Sequence, residues 1–221
     1  AIAFLRVGNL GKDARNLAEK MGEKSDRSLR VGFQVLWNDK LLRTITISIL
    51  IIAAVYLPTE TVVLSTYFEG LDQPASLGIV ISALAAGSAV GSFGYGWLSA
   101  RLSRKNLVRA TLIGTAVSIL PMAFLPPLPI LVVAGFFLGL SWGPFNPLVS
   151  TLIQQRVPAD QQGRVFGVQT AVFYAAPPLG MVLAGLSVES LGVSVTYIVL
   201  AAILSVTAIL ALLTKSLRSN F

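Results

Sequence analysis

From Ala110 to Gln155 the chain runs for 46 residues without a charged side chain, and from Gln73 to Ala100 for another 28. As a single helix rising about 1.5 Å per residue the longer run would measure about 69 Å, more than twice a hydrocarbon core about 30 Å thick. It must therefore be a hairpin of two membrane spans, turning at Pro126-Pro127-Leu128-Pro129. Between the two runs lies GWLSARLSRKNLVR, Gly96 to Arg109, which packs Arg101, Arg104, Lys105 and Arg109 into nine residues. A basic knot between uncharged runs reads as a loop pinned at one membrane face.

Composition decides between lipid and water as the solvent. Hydrophobic residues make up 54% of the chain and charged residues 12%, against roughly 25% charged in soluble domains. The lipid bilayer is the partner such a surface requires. The net charge of +7 does not point to nucleic acid, because the Lys and Arg residues sit in short segments beside apolar runs instead of along a continuous face. With no Cys and no His, disulfides, thiolate chemistry, imidazole metal sites and Ser-His nucleophiles are excluded. No metal, no cofactor and no enzymatic role is expected.

The chain divides into a linker (1–40), a membrane bundle (41–214) and a short tail (215–221). Ala1 to Val7 reads as the end of something upstream. Leu29, Phe33, Leu36 and Trp37 recur at helical spacing, an apolar stripe suited to a short amphipathic helix lying along the interface. The spans then run from about Leu41 to Tyr67, Pro74 to Ala100, Leu107 to Leu125, Ile130 to Ile153, Val165 to Val188 and Val193 to Thr214. Gln154 to Arg164 is expected to be a polar loop.

All 17 Lys and Arg residues fall on one side of such a chain, while Glu69, Asp72 and Glu189 are the charges of the loops opposite. The positive-inside rule then puts both termini in the cytoplasm. Spans one to three begin inside and spans four to six begin outside. The expected fold is an all-α membrane protein with six transmembrane helices arranged as an inverted three-plus-three repeat.

In inverted repeats, helices broken at corresponding positions point to the binding site. Pro58 in span one and Pro144 in span four occupy such positions, although a plain kink would place prolines there too. Pro144 and Pro147 are expected to leave the carbonyls of Leu140 and Gly143 free. Glu60 is the one acid within a span, and a carboxylate in hydrocarbon costs roughly 2.5 to 3.5 kcal/mol at the centre. It is the candidate for proton coupling, against the alternative that it sits at the outer interface and meets water. Tyr56 and Glu60 share a face of span one, and Trp142, Phe145 and Asn146 cluster in the matching part of span four. Gln169 and Tyr174 in span five precede an expected break at Pro177-Pro178. Together these seven residues are the candidate contacts for an amphiphilic small molecule, or else ordinary packing. Gly87, Gly91, Gly135, Gly139 and Gly143 recur every four residues and are read as close helix packing.

GWLSARLSRK resembles the loop signature of the major facilitator superfamily, with Gly96, Leu98, Arg101, Arg104 and Lys105 matching and Ala100 and Ser103 standing where that pattern has Asp and Gly. The stretches Ser28 to Arg43, Arg156 to Gly167 and Pro177 to Gly185 are similar to the macrolide and multidrug efflux branch. The resemblance implies the second half of a twelve-helix carrier in a bacterial cytoplasmic membrane, driven by protons, with Gly96, Arg101, Arg104 and Lys105 as a cytoplasmic gating loop. It also implies a further partner, an N-terminal six-helix half in the same chain or in a second subunit. An uptake carrier for a metabolite and a non-transporting membrane scaffold or sensor are the alternatives.

Overall fold

The computed structural model of the chain describes residues 30–214. The segment 1–29, with Leu29 of the apolar stripe, and the tail 215–221 lie outside them. Every regular element among the described residues is a helix: α1 (30–38), α2 (Lys40–Pro58), a π-helical turn (Thr59–Leu64), α3 (Ser65–Gly70), α4 (Pro74–Arg101), α5 (Arg104–Ala123), α6 (Leu128–Trp142), α7 (Phe145–Arg156), α8 (Ala159–Leu191) and α9 (Val193–Leu213). Six helical stretches are long and apolar enough to cross a membrane, the first being α2 to α3 and the fourth α6 to α7. Helices satisfy their own backbone groups, which hydrocarbon demands.

Short links join the spans, and each has a local cause. Asp39 caps α2 by accepting from the amides of Leu41 and Leu42 at 2.8 and 3.0 Å. Ser103 caps α5 through the amide of Asn106. The Gly96–Arg109 loop expected from its charges contracts to Leu102 and Ser103, because both helices continue past the apolar zone and carry the basic residues on their ends. Likewise the expected polar loop Gln154–Arg164 contracts to Val157 and Pro158, where the Gln162 amide nitrogen donates to the carbonyls of Gln154 and Val157. Gly192 alone joins α8 to α9 at φ +82, a conformation that costs glycine nothing and most residues much. The uncharged run does turn at its prolines, between Ala123 and Leu128.

The two triplets of spans occupy equivalent places. Span two lies along span four and span five along span one, while spans three and six meet each other, so exchanging the triplets reproduces the arrangement. This is the inverted repeat. Glycine explains how close the seams are. A Cβ on Gly87, Gly91, Gly139 or Gly143 would run into the backbone carbonyl of Phe136, Leu140, Leu84 or Ser88, and one on Gly180 into that of Ala54. Gly135 is looser, in ordinary contact with Val80.

Two expectations about proline part ways. Span four does break at Gly143-Pro144, and span one passes into a π turn after Pro58. Span five does not break: α8 continues through Pro177 and Pro178. Membrane helices tolerate proline, and just beyond the pair Gly180 brings α8 onto α2 at Ala54 and Pro58.

Candidate functional site

The broken spans one and four carry a column of three aromatic rings. Phe145 stacks on Trp142 with centroids 4.9 Å apart and planes 5° from parallel. Trp142 stacks in turn on Tyr56 at 5.2 Å and 14°. Trp142 and Phe145 straddle the Gly143-Pro144 break, so the column bridges the two rods of span four and reaches span one. Near-parallel ring pairs of this kind contribute roughly 0.5–1.5 kcal/mol beyond the area they bury.

Phe145 is also the floor of a cleft of about 220 Å³ walled by spans one, four and five, and Asn146, Gln169 and Tyr174 line it too. Four of the seven candidate contacts thus meet in one cleft. Asn146 and Tyr174 are exposed, whereas Gln169 is buried and accepts a hydrogen bond from the Thr46 hydroxyl at 3.0 Å. That bond fastens span five to span one. Trp142 and Tyr56 stand behind Phe145 and are absent from the lining. Phe166, Thr170 and Phe173 complete the span-five wall. Phe166 and Thr170 were not singled out from the sequence, although 166, 169, 170 and 173 are the i, i+3, i+4, i+7 spacing of one helical face.

Glu60 lies behind the column, in the π turn. Its Oε1 is buried with no hydrogen-bond partner among the described residues. The Tyr197 hydroxyl of span six is the other buried side-chain polar atom without a partner among the described residues. Tyr197 is fully buried. It was not singled out from the sequence, although it is the one aromatic side chain in α9.

The carbonyls released by the prolines of span four are not open to a ligand. Ser92 donates to the Gly143 carbonyl at 2.7 Å, and the Leu140 carbonyl faces Gly91. Span two absorbs both, because its glycines let it lie directly against the break.

At the basic end, Arg104 donates to the Tyr95 hydroxyl at 2.7 Å, Tyr95 donates to Thr151 at 3.1 Å, and Thr151 donates to the Pro147 carbonyl at 2.7 Å. Each hydroxyl accepts once and donates once, so the chain runs unbroken from the basic link into α7. Arg101 takes a different course, its guanidinium lying 4.1 Å from the centroid of the Trp97 ring. Gly96 is exposed with open space around it. Just over one turn beyond Thr151 the same end is tied again, by an ion pair of 2.9 Å between Arg156 and Asp39.

Residues 44–219 match the family model of the Major Facilitator Superfamily. The chain is 35% identical over 218 residues to the multidrug efflux pump Tap of Mycobacterium tuberculosis, covering 99% of this chain and 51% of that protein. It is 32% identical to Tap of Mycolicibacterium fortuitum, covering 99% of this chain and 53% of that protein. With macrolide efflux protein A of Streptococcus pyogenes it shares 24% identity over 198 residues, 87% of this chain and 47% of that protein. The chain spans about half the length of these curated relatives.

Proposed function

Since the chain belongs to the major facilitator superfamily, we propose that it is the second half of a twelve-helix secondary carrier that expels amphiphilic small molecules in exchange for protons. The observation that carries this reading is the aromatic cleft built against the two broken helices, with one carboxylate behind it. Flat apolar ligands are held in such a cleft mainly by contact with ring faces, and the few polar groups, Asn146 and the Tyr174 hydroxyl among them, orient them. Glu60 takes up and releases the coupling proton. The names of the relatives, a multidrug efflux pump and a macrolide efflux protein, agree with export.

In this reading the basic end faces the cytoplasm of a bacterial cell, both ends of the segment lie there, and α1 runs along the inner interface. Phe33 and Trp37, stacked at 5.1 Å and about half exposed, turn toward the lipid, whereas Leu36 turns into the bundle. Gly96, Arg101, Arg104 and Lys105 form the gating link. Alternating access needs a second bundle on the far side of the cleft, supplied by an N-terminal half in the same protein or in a second subunit.

The test is drug accumulation in cells expressing the complete carrier, with and without a protonophore. Lower accumulation that returns to control levels when the proton gradient is collapsed is expected. Equal accumulation with and without the carrier across a broad panel of amphiphilic compounds rejects the export reading.

A further inference from the structure

We infer that Gln169 gives the cleft a chemical preference, for uncharged amphiphiles that carry an oxygen acceptor such as a carbonyl or an ether, because Thr46 holds its amide with the NH2 group toward the ligand. This rests on the reading of the cleft as a ligand site and adds what the site selects.

Gln169 is only 8% exposed. Its amide has an oxygen that accepts and a nitrogen that donates twice. The oxygen is already taken, by the Thr46 hydroxyl at 3.0 Å. Thr46 itself settles the direction of that bond. Thr59, Thr111 and Thr115 donate to the carbonyl four residues back, whereas Thr46, buried as they are, makes its one side-chain hydrogen bond with Gln169. Oε1 is therefore the acceptor that this buried hydroxyl requires, and the planar amide turns its nitrogen the other way. Thr46 does not line the cleft, so it acts on a ligand only as a positioning residue, through Gln169.

Nothing among the described residues accepts from that nitrogen. Nor is it sealed in. The unpartnered side-chain atoms closed off from any surface are Glu60 Oε1 and the Tyr197 hydroxyl, so Nε2 keeps part of the little surface that Gln169 has, and the space Gln169 borders is the cleft. Phe166 and Phe173 lie about one turn to either side on the same wall. A flat ring resting on either can carry an oxygen to the donor.

The remaining polar groups of the cleft do not select in this way. Asn146, Thr170 and Tyr174 are exposed and Ser150 is half-buried; no hydrogen bond fastens their side chains among the described residues, and each can turn to donate or to accept. Gln169 alone is fixed. No charged side chain lines the cleft, so a ligand carboxylate would lose its water without gaining a cation, at a cost one amide does not offset. At about 220 Å³ the cleft is also smaller than the roughly 300–1,000 Å³ of most ligand pockets. It takes one ring system with its oxygen and leaves the rest of the ligand to the companion half.

The experiment measures binding of three radiolabelled planar tricycles to the complete purified carrier in lipid nanodiscs: fluorenone with a carbonyl, carbazole with an N–H donor, and fluorene with neither. Fluorenone is expected to bind about three- to tenfold tighter than the other two, the worth of one hydrogen bond. Gln169→Leu should abolish the difference. Thr46→Val keeps the shape and removes the hydroxyl, so the amide is free to turn its oxygen to the ligand. Carbazole should then gain about threefold or more, which a loss of packing alone would not produce, and Thr46→Ser should restore the parent order. Thr46→Val decides the matter if Gln169→Leu fails to fold. Equal affinity for fluorenone and fluorene in the unmodified carrier, or a fluorenone preference that survives Gln169→Leu, overturns the role of Gln169, and a carbazole affinity unmoved by Thr46→Val overturns the held amide. Each of these leaves the cleft reading standing. Binding of none of the three, or binding that Phe145→Ala leaves unchanged, overturns the cleft reading itself.

Discussion

Single atoms decide the seams of this bundle. Gly139 faces the Leu84 carbonyl with no space for a methyl group, whereas Gly94 has nothing within reach. Gly139→Leu is expected to cost at least the ~1–3 kcal/mol typical of overpacking and to reduce monodisperse protein on detergent size-exclusion, with Gly94→Ala unchanged. The hydroxyl of Tyr95 is a second such atom. Tyr95→Phe cuts the donor chain at its middle and leaves a part-buried guanidinium without that acceptor, a loss of about 1–3 kcal/mol. Thr151→Ser preserves the chain and Thr151→Val breaks it, so thermal unfolding should rank serine with the parent and valine with Tyr95→Phe.

At the scale of elements, α7 is a short rod beyond a break, held by Ser92 at its head, Thr151 at its middle and Arg156 at its foot. The foot responds to acid. Burial pushes the Asp39 carboxyl up, but the Leu42 amide, the hydrogen bond and charge of Arg156 and the Leu41 amide outweigh it, and the group is held below its ordinary 3.8. A depressed carboxylate stabilises the folded protein above its unfolded value, and that contribution disappears as pH falls through the folded one. Asp39→Asn keeps the cap and loses the charge. It should melt slightly below the parent at neutral pH, by the 0–1 kcal/mol of about one exposed ion pair, and the gap should close in acid below 3.8.

How far such elements could be read from the chain depended on what terminates them. Charges bound the spans in sequence, so their number was legible, and so were the interruptions at Pro58 and Pro144, but not the limits at the basic end, where the helices run on past the charges. Pro177 and Pro178 look equally disruptive in sequence. Their helix nevertheless continues and meets span one where Gly180 rests on Ala54, a contact between distant residues that no local pattern records. The same holds for the Gly143 carbonyl, answered by a serine 51 residues away. In the cleft, Phe145, Asn146, Gln169 and Tyr174 were identifiable as polar or aromatic groups in apolar spans, while the column itself required knowing that spans one and four lie side by side.

At the scale of the molecule, spans two and five are unlike the rest. In the apolar 18-residue stretch of each, only 22% of the residues are buried inside the bundle, against 44–56% for the other four. Their outward faces carry large apolar side chains, Phe93 at 90% exposed and Leu179 at 70% among them. The proposed companion half would cover part of this surface. With the carrier expressed as two separate halves, cysteines at Phe93 and Leu179 labelled with a thiol-reactive photo-cross-linker should therefore join to the N-terminal half, read as a single band on a denaturing gel, while a labelled cysteine at Val206 on span six, also exposed, should not.

Gly192 by itself, or a pair of residues such as Leu102-Ser103, is all that connects several neighbouring spans. Links so brief have no slack with which to absorb displacement. Flexing is therefore expected at the π turn and at Gly143-Pro144, within the helical stretches that cross the membrane. The thickness of the surrounding lipid consequently becomes a brake or a spur on turnover, and vesicles of short- and long-chain phosphatidylcholine should transport at unequal speeds even with every side chain unchanged.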